Sequence, residues 1–252
     1  MLQSIQIIIG VVKISMDYKE LPRLIDISCV RTNVTMDELE KMVQLAKQYR
    51  FICCFAMPCF TPWLANALKD EKDILLGGVV GFPSGADSTK AKLYTAKELM
   101  QIGCNELDMV INVGALKSEQ YKIVEDDIKA IVDAANGLPV KSILEVAYLT
   151  DYEIQKASEL AVKAGVTFVK TGTGWANKPT TVNHIKLIKK AIGKSAKIKA
   201  AGGIRDVETI ESMINEGCSR FGIGINSAIN IMNSAFNNLT NEFTKNKKND
   251  TY

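Results

Sequence analysis

The chain has 252 residues, of which 47% are hydrophobic and 23% charged, and a formal net charge of +3. This allows one large domain or two small ones around a substantial core, with the composition of an ordinary soluble globular protein. A small, dispersed basic excess gives no support for a nucleic-acid partner, and a single histidine with no cysteine pair at two-residue spacing argues against a zinc centre.

Residues 5–12 are apolar but interrupted by Gly10 and followed by Lys13. The run is too short to span a bilayer and lacks the basic front and cleavage site of a secretory signal. Residues 1–20 are therefore assigned to an N-terminal extension, an extra strand or a leader, with no membrane partner expected. Beyond residue 20 an apolar β-rich run, a turn and an amphipathic helical pattern repeat at steps of roughly 25 to 35 residues. Strands are predicted over 24–29, 51–56, 75–81, 106–112, 140–146, 167–171, 196–200 and 220–224. Helix starts are marked by the capping boxes Thr35-Met36-Asp37-Glu38 and Thr150-Asp151-Tyr152-Glu153, and helix ends by Gly103, Gly165 and Gly217. His184 falls in a polar helical stretch and is given a surface role. Cys53 and Cys54 read as small core residues with free thiols, which fits a cytoplasmic protein.

Eight alternations without a long linker predict a single-domain α/β fold, a (β/α)8 TIM barrel over residues 21–235, followed by a polar C-terminal tail over 236–252. The competing doubly wound sheet would carry a Gly-x-Gly-x-x-Gly turn after its first strand. Here that position reads Ser28-Cys29-Val30-Arg31-Thr32.

Active-site residues of such a barrel sit at the carboxyl ends of its strands. Three charged residues embedded in apolar runs satisfy this: Asp108 on strand four, Lys170 on strand six and Lys199 on strand seven. A lysine stripped of water must lose its proton or find a counter-charge, and two lysines on neighbouring strands push each other toward neutrality. A neutral amine is what Schiff-base chemistry on a carbonyl requires, and Asp108 can pair with an ammonium and pass protons. The plain alternative is a buried structural ion pair. Lys197 shares side-chain parity with Lys199 and is expected at the lower rim of the barrel.

Four segments, Gly81-Phe82-Pro83-Ser84-Gly85-Ala86, Leu107-Asp108-Met109-Val110-Ile111-Asn112-Val113-Gly114-Ala115-Leu116-Lys117, Phe168-Val169-Lys170-Thr171 and Lys199-Ala200-Ala201-Gly202-Gly203-Ile204-Arg205, resemble the deoxyribose-phosphate aldolase family. The resemblance covers about residues 18–228. It implies a cofactor-free, metal-free class I aldolase that cleaves 2-deoxyribose 5-phosphate to glyceraldehyde 3-phosphate and acetaldehyde. Lys170 would form the Schiff base, and Lys199 with Asp108 the proton relay. Gly202, Gly203, Ile204 and Arg205 match the phosphate loop, with Gly222 and Gly224 of strand eight completing it. Thr171, Thr173 and Asp26 would hold substrate hydroxyls.

The chain also departs from the family pattern. Gly224 and Ile225 stand where a pair of phosphate-binding serines is usual, Asp26-Ile27-Ser28 replaces Asp-His-Thr, and Phe55 and Met57 are expected to make the pocket narrower and greasier. These departures keep open a sibling aldolase with a different or unphosphorylated aldehyde acceptor, and a non-catalytic barrel that binds sugar phosphate. The partner in every case is a small sugar phosphate or aldehyde. The oligomeric state stays open, a homodimer being one arrangement.

Overall fold

The computed structural model describes residues 17–249, with side chains described through residue 237. The strand or leader read over residues 5–12 lies outside the described residues. Eight parallel strands close into a barrel in chain order: β1 Ile25–Cys29, β2 Cys53–Ala56, β3 Leu75–Val80, β4 Glu106–Val110, β5 Val140–Ile143, β6 Phe168–Lys170, β7 Lys197–Ala201 and β8 Cys218–Gly224. The ring is sealed between β8 and β1, where Asp26 pairs with Gly222. The helices are α1 Met36–Tyr49, α2 Thr61–Leu68, α3 Thr89–Ile102, α4 Val113–Lys117, α5 Tyr121–Ala134, α6 Asp151–Lys163, α7 Val182–Ile192, α8 Val207–Asn215 and α9 Ile225–Asn249. This is the (β/α)8 barrel expected from the sequence. None of its helices, among the described residues, is long and apolar enough to cross a membrane.

Local signals act as read. Thr35 and Thr150 each accept the backbone N–H three residues on and are answered by Glu38 and Glu153, closing both capping boxes. A third box was not foreseen: Thr181 caps α7, and His184 Nδ1 accepts the Thr181 N–H at 3.1 Å. His184 therefore helps to cap the start of α7, and burial holds its pKa below the ordinary value.

Two strands stop earlier than their apolar runs suggest. β4 ends at Val110 because the Asn112 side chain accepts the Ala115 N–H at 2.9 Å and starts α4. β5 ends at Ile143 because Glu145 takes a left-handed backbone conformation (φ 57°) before the 3-10 turn Val146–Tyr148.

Strand alternation divides the molecule into two unlike regions. Outward residues such as Ile27, Leu107, Val169 and Ile198 join Leu39, Ile128, Ile154 and Ile210 of the helices in one continuous buried apolar shell. Inside the barrel the apolar cluster is small, built on Cys53, Phe55 and Val79. Much of the remaining interior is charged, because Asp26, Glu106, Asp108, Lys141, Lys170, Lys199 and Arg220 are all at most 7% exposed.

Candidate active site

The strand register brings these charges together. Lys170 lies beside Lys199 across the β6–β7 pair, and Asp108 beside Lys141 across β4–β5. Lys199 has room because Gly222 faces it: a Cβ there would stand 3.3 Å from Lys199 Cε and 2.9 Å from Ala201 Cβ. The two lysine ammonium groups converge on one oxygen, with Lys170 Nζ and Lys199 Nζ each 2.7 Å from Asp108 Oδ2. Lys199 also reaches Asp26 Oδ2 at 2.5 Å.

Below them lies a charged floor that sequence reasoning did not anticipate. Lys141 Nζ approaches Asp108 Oδ1 at 3.0 Å and Asp26 at 3.6 Å, and is bonded to Glu106. Arg220 spans Asp26 through Nε (2.9 Å) and Glu106 through a terminal nitrogen (2.7 Å). Lys141 carried a readable signal, a lysine inside the apolar run Val140-Lys141-Ser142-Ile143, and Glu106 shares parity with Asp108. Lys197 is exposed at the rim, its Nζ 5.6 Å from the Phe168 ring centre, as its parity allowed. The third interior amine is Lys141.

The cluster holds three carboxylates against four cationic side chains, so one positive charge has no partner of its own. Lys170 is the amine whose burden is least compensated. Burial pushes its pKa down to about 8, with Lys199 and Lys141 adding to the effect and Asp108 opposing it. Burial disfavours the charged form of Asp108, yet Lys141, Lys170 and Lys199 outweigh this and hold its carboxyl well below the usual range. Asp26 is lowered in the same way, by Lys199, Lys141 and Arg220 against burial. For Lys141 the balance runs the other way, since Asp108, Asp26 and Glu106 overcome burial and keep it protonated. Asp26, Cys53 and Glu106 bring possible metal donors together, but the carboxylates already face the fixed cations Arg220 and Lys141. Charge compensation there does not call for a metal ion.

Above the cluster opens a cavity of about 520 Å³. Lys170, Lys199 and Asp26 form its base, and Gly202, Gly203, Ile204, Arg205, Gly222 and Gly224 border one side, together with Thr173. Glycine is required at 203, where φ is +78° and a Cβ would meet Pro179 Cβ at 2.5 Å. α9 starts immediately after Gly224, so Ile225, Asn226 and Ser227 present a helix N-terminus to the same side.

Two expected wall residues are elsewhere. Thr171 follows inward-facing Lys170 and so points to the opposite face of β6. It is fully buried, its hydroxyl accepting from Ala201 N (2.9 Å) and lying within hydrogen-bond distance of Ala201 O (3.0 Å) and Thr180 Oγ1 (2.9 Å), while the Thr180 hydroxyl reaches Ala201 O at 2.6 Å. Thr171 therefore braces the end of β6 against β7 and is not part of the cavity wall. Met57 opens the 3-10 turn Pro58–Phe60 and is not part of the cavity wall. Phe55 is in the wall, with Lys199 Nζ 4.3 Å, Lys141 Nζ 4.9 Å and Lys170 Nζ 6.0 Å from its ring centre. Gly77 makes this possible, since a Cβ there would overlap the Phe55 ring. Trp175 closes the opposite rim, its indole N–H donating to Val30 O at 2.7 Å and its ring meeting Phe82 edge-on at 6.2 Å.

A (β/α)8 barrel with a poised lysine and an ionised aspartate at the strand ends has the make-up of a Schiff-base lyase. Comparison with known proteins agrees. The family model described as "DeoC/LacD family aldolase" matches residues 15–232, and the chain belongs to that family. A deoxyribose-phosphate aldolase of Rhizobium meliloti is 42% identical over 214 residues, covering 85% of this chain and 86% of that protein. One from an Exiguobacterium strain is 40% identical over 210 residues, covering 83% and 95% respectively. Among solved structures, the tetrameric deoxyribose phosphate aldolase of Aeropyrum pernix has a TM-score of 0.78 at 26% identity, covering 86% of this chain and 92% of that one.

Proposed function

We propose that this chain is a class I aldolase that cleaves 2-deoxy-D-ribose 5-phosphate to D-glyceraldehyde 3-phosphate and acetaldehyde, with Lys170 as the Schiff-base residue. The observation that carries the reading is the convergence of Lys170 and Lys199 on Asp108 Oδ2, at 2.7 Å each, at the base of the cavity. An amine titrating at about 8 is roughly one-tenth neutral at pH 7, enough to attack a carbonyl.

Neutral Lys170 adds to C1 of the open-chain sugar. The carbinolamine loses its hydroxyl as water with a proton delivered by the Lys199–Asp108 pair, leaving a protonated imine. Removal of the proton from the C3 hydroxyl breaks the C2–C3 bond, and its electron pair moves into the imine to give an enamine and the three-carbon aldehyde. Protonation of the enamine at C2 and hydrolysis of the imine release acetaldehyde and regenerate Lys170. Lys199 is placed to pass protons, its Nζ lying within hydrogen-bond distance of both Asp26 and Asp108.

Asp26 serves first as the counter-charge of Lys199 and Arg220. Gly202, Gly203, Ile204 and Arg205, with Gly222, Gly224 and the start of α9, receive the phosphate. Six free cysteines among the described residues fit a cytoplasmic enzyme. A homo-oligomer, a homodimer in its simplest form, fits the family.

The test is borohydride trapping with acetaldehyde followed by peptide mass spectrometry. An adduct on Lys170 supports the assignment, and an adduct on Lys199 or Lys141, or none, overturns it. A second reading is favoured by one observation: Gly224 is exposed and Ile225 supplies no hydroxyl, so the strand-eight side offers few donors to a phosphate. An unphosphorylated acceptor would then compete well, which a panel of phosphorylated and unphosphorylated aldehydes resolves.

A further inference from the structure

Glu145 is a further buried carboxylate beside the site, and the mechanism above does not use it. It is 5% exposed, and among the described residues no ion pair joins it to a cation. Its backbone is left-handed (φ 57°, ψ 59°), a conformation that costs free energy for a residue with a β-carbon. What that geometry achieves is visible in the loop after Lys170. The Thr173 N–H reaches both carboxylate oxygens at 3.3 Å, and the Thr173 hydroxyl donates to Oε2. Gly172 lets the loop lie down on the carboxylate, since a Cβ there would be 2.8 Å from Oε1.

The consequence concerns the polarity of one hydroxyl. A threonine hydroxyl has one hydrogen and two lone pairs. At Thr173 the hydrogen is committed to Glu145, and one lone pair accepts the Trp175 N–H at 3.0 Å. One lone pair remains, on a residue that lines the cavity three positions beyond Lys170. Thr173 can accept a hydrogen bond from a bound molecule and cannot donate one.

We infer that Glu145 is a positioning residue that fixes Thr173 as a hydrogen-bond acceptor, so that the cavity beside Lys170 selects aldehydes bearing a hydroxyl group. An apolar aldehyde of the same length leaves the Thr173 lone pair unmet. A carbonyl or phosphate oxygen placed there faces another acceptor. This inference rests on the aldolase reading and adds to it the chemistry of one subsite.

The experiment measures acetaldehyde addition to glyceraldehyde and to propanal, which have equal carbon counts and differ in hydroxyl groups. The readout is the ratio of the two kcat/KM values. Glu145→Gln presents an amide donor to Thr173 or its N–H, and Thr173→Val removes the acceptor. Each should lower the glyceraldehyde-to-propanal ratio by about fivefold, the worth of one neutral hydrogen bond, whereas Thr173→Ser should retain it. In the double variant Glu145→Gln adds nothing further to the loss in ratio, because its route runs through the Thr173 hydroxyl.

A purely structural Glu145 would reduce both acceptors in the same proportion, and that outcome overturns the inference, as does an unchanged ratio in Thr173→Val. Should Glu145→Gln lose its near-UV circular dichroism, the Thr173→Val and Thr173→Ser pair decides alone. The unaltered protein is first labelled with acetaldehyde and borohydride. No label on Lys170 refutes the aldolase assignment, whereas label with an insensitive ratio refutes only the role of Glu145.

Discussion

Replacing Lys141 with methionine tests whether the interior charges act as one balanced set. The substitution keeps an unbranched apolar stem in the barrel and deletes the cation that contacts Asp108, Asp26 and Glu106. Lys141 sits on one oxygen of Asp108 and Lys170 on the other, so its positive charge opposes protonation of Lys170. Like charges separated by a carboxylate and two hydrogen bonds, about 6 Å, repel by about 3 kcal/mol at an effective dielectric near 20, equivalent to about two pH units. Relaxation and water entry reduce this, so a rise of one pH unit in the Lys170 midpoint is the conservative expectation. The neutral fraction at pH 7 then falls from about one-tenth to about one-hundredth, and kcat/KM at pH 7 falls about tenfold. The sign is diagnostic: the neutral amine is the reactive form, so the loss is largest at low pH and fades as pH rises past the new midpoint. Removing one partner of a buried pair costs about 3–5 kcal/mol, and the lower end applies because Arg220 still covers Glu106 and Asp26. The assay is the pH dependence of kcat/KM for deoxyribose 5-phosphate cleavage, with circular dichroism to confirm folding. A folded variant whose acid limb stays near pH 8 would show that Lys141 and Lys170 are uncoupled, and the charge-counting argument would be withdrawn.

Lys170→Ala should abolish the borohydride-trapped adduct and turnover while the barrel persists, as measured by mass spectrometry and thermal unfolding; a surviving adduct moves the nucleophile elsewhere. Lys199→Met should lose most turnover but still form the imine slowly, whereas Lys197→Met, at the exposed rim, should stay within about twofold of the unaltered rate, a surface substitution having little leverage. Gly77→Ala should cost about 1–3 kcal/mol by overpacking against Phe55, seen as a lowered Tm; an unchanged Tm would mean that the ring has another place to go. Installing serines at Gly224 and Ile225 should raise the preference for 2-deoxyribose 5-phosphate over 2-deoxyribose by roughly two orders of magnitude or more, each donor to an anion being worth about 1.5–3 kcal/mol. The gain should appear in KM, since the phosphate is remote from the breaking bond, and an unaltered ratio would show that the α9 N-terminus already saturates the phosphate.

The strand–helix rhythm and the three residues Asp108, Lys170 and Lys199 were legible because a charge inside an apolar strand contradicts its surroundings. Lys141 carried the same contradiction without a glycine turn after it to draw notice. Arg220 and Glu106 stand at or near strand starts, where a charge ordinarily reaches solvent, and only closure of the barrel turns them inward. Thr171 was expected to hold a substrate hydroxyl, and only the structure shows it buried against Ala201 and Thr180 while Thr173, of the same parity, lines the cavity. Glu145 was hidden for a different reason. The run over 140–146 reads as one strand, and nothing in a period of two announces a left-handed residue at its sixth position, Glu145. That conformation is set by what the next strand's loop needs, the hydroxyl and N–H of Thr173, and such long-range demands leave no local pattern.

A charged barrel interior has a price in stability, and its arrangement indicates what the price secures. Buried ion pairs are often no better for stability than well-packed apolar residues of similar volume, so the apolar shell between strands and helices must carry the fold. What the seven charges provide is an asymmetry along the barrel axis. On the floor Glu106 is shared by two cations, Arg220 and Lys141, each of which also faces a second carboxylate. Toward the mouth, Asp26 and Asp108 are shared by Lys199, Lys141 and Lys170, and the surplus positive charge falls on the group nearest the cavity. Releasing one proton from Lys170, whose pKa burial pushes down to about 8, brings the cluster to neutrality and yields the neutral amine that the proposed mechanism needs. An added carboxylate on the floor would remove that surplus, hold Lys170 protonated and silence the site without touching any residue that meets the substrate.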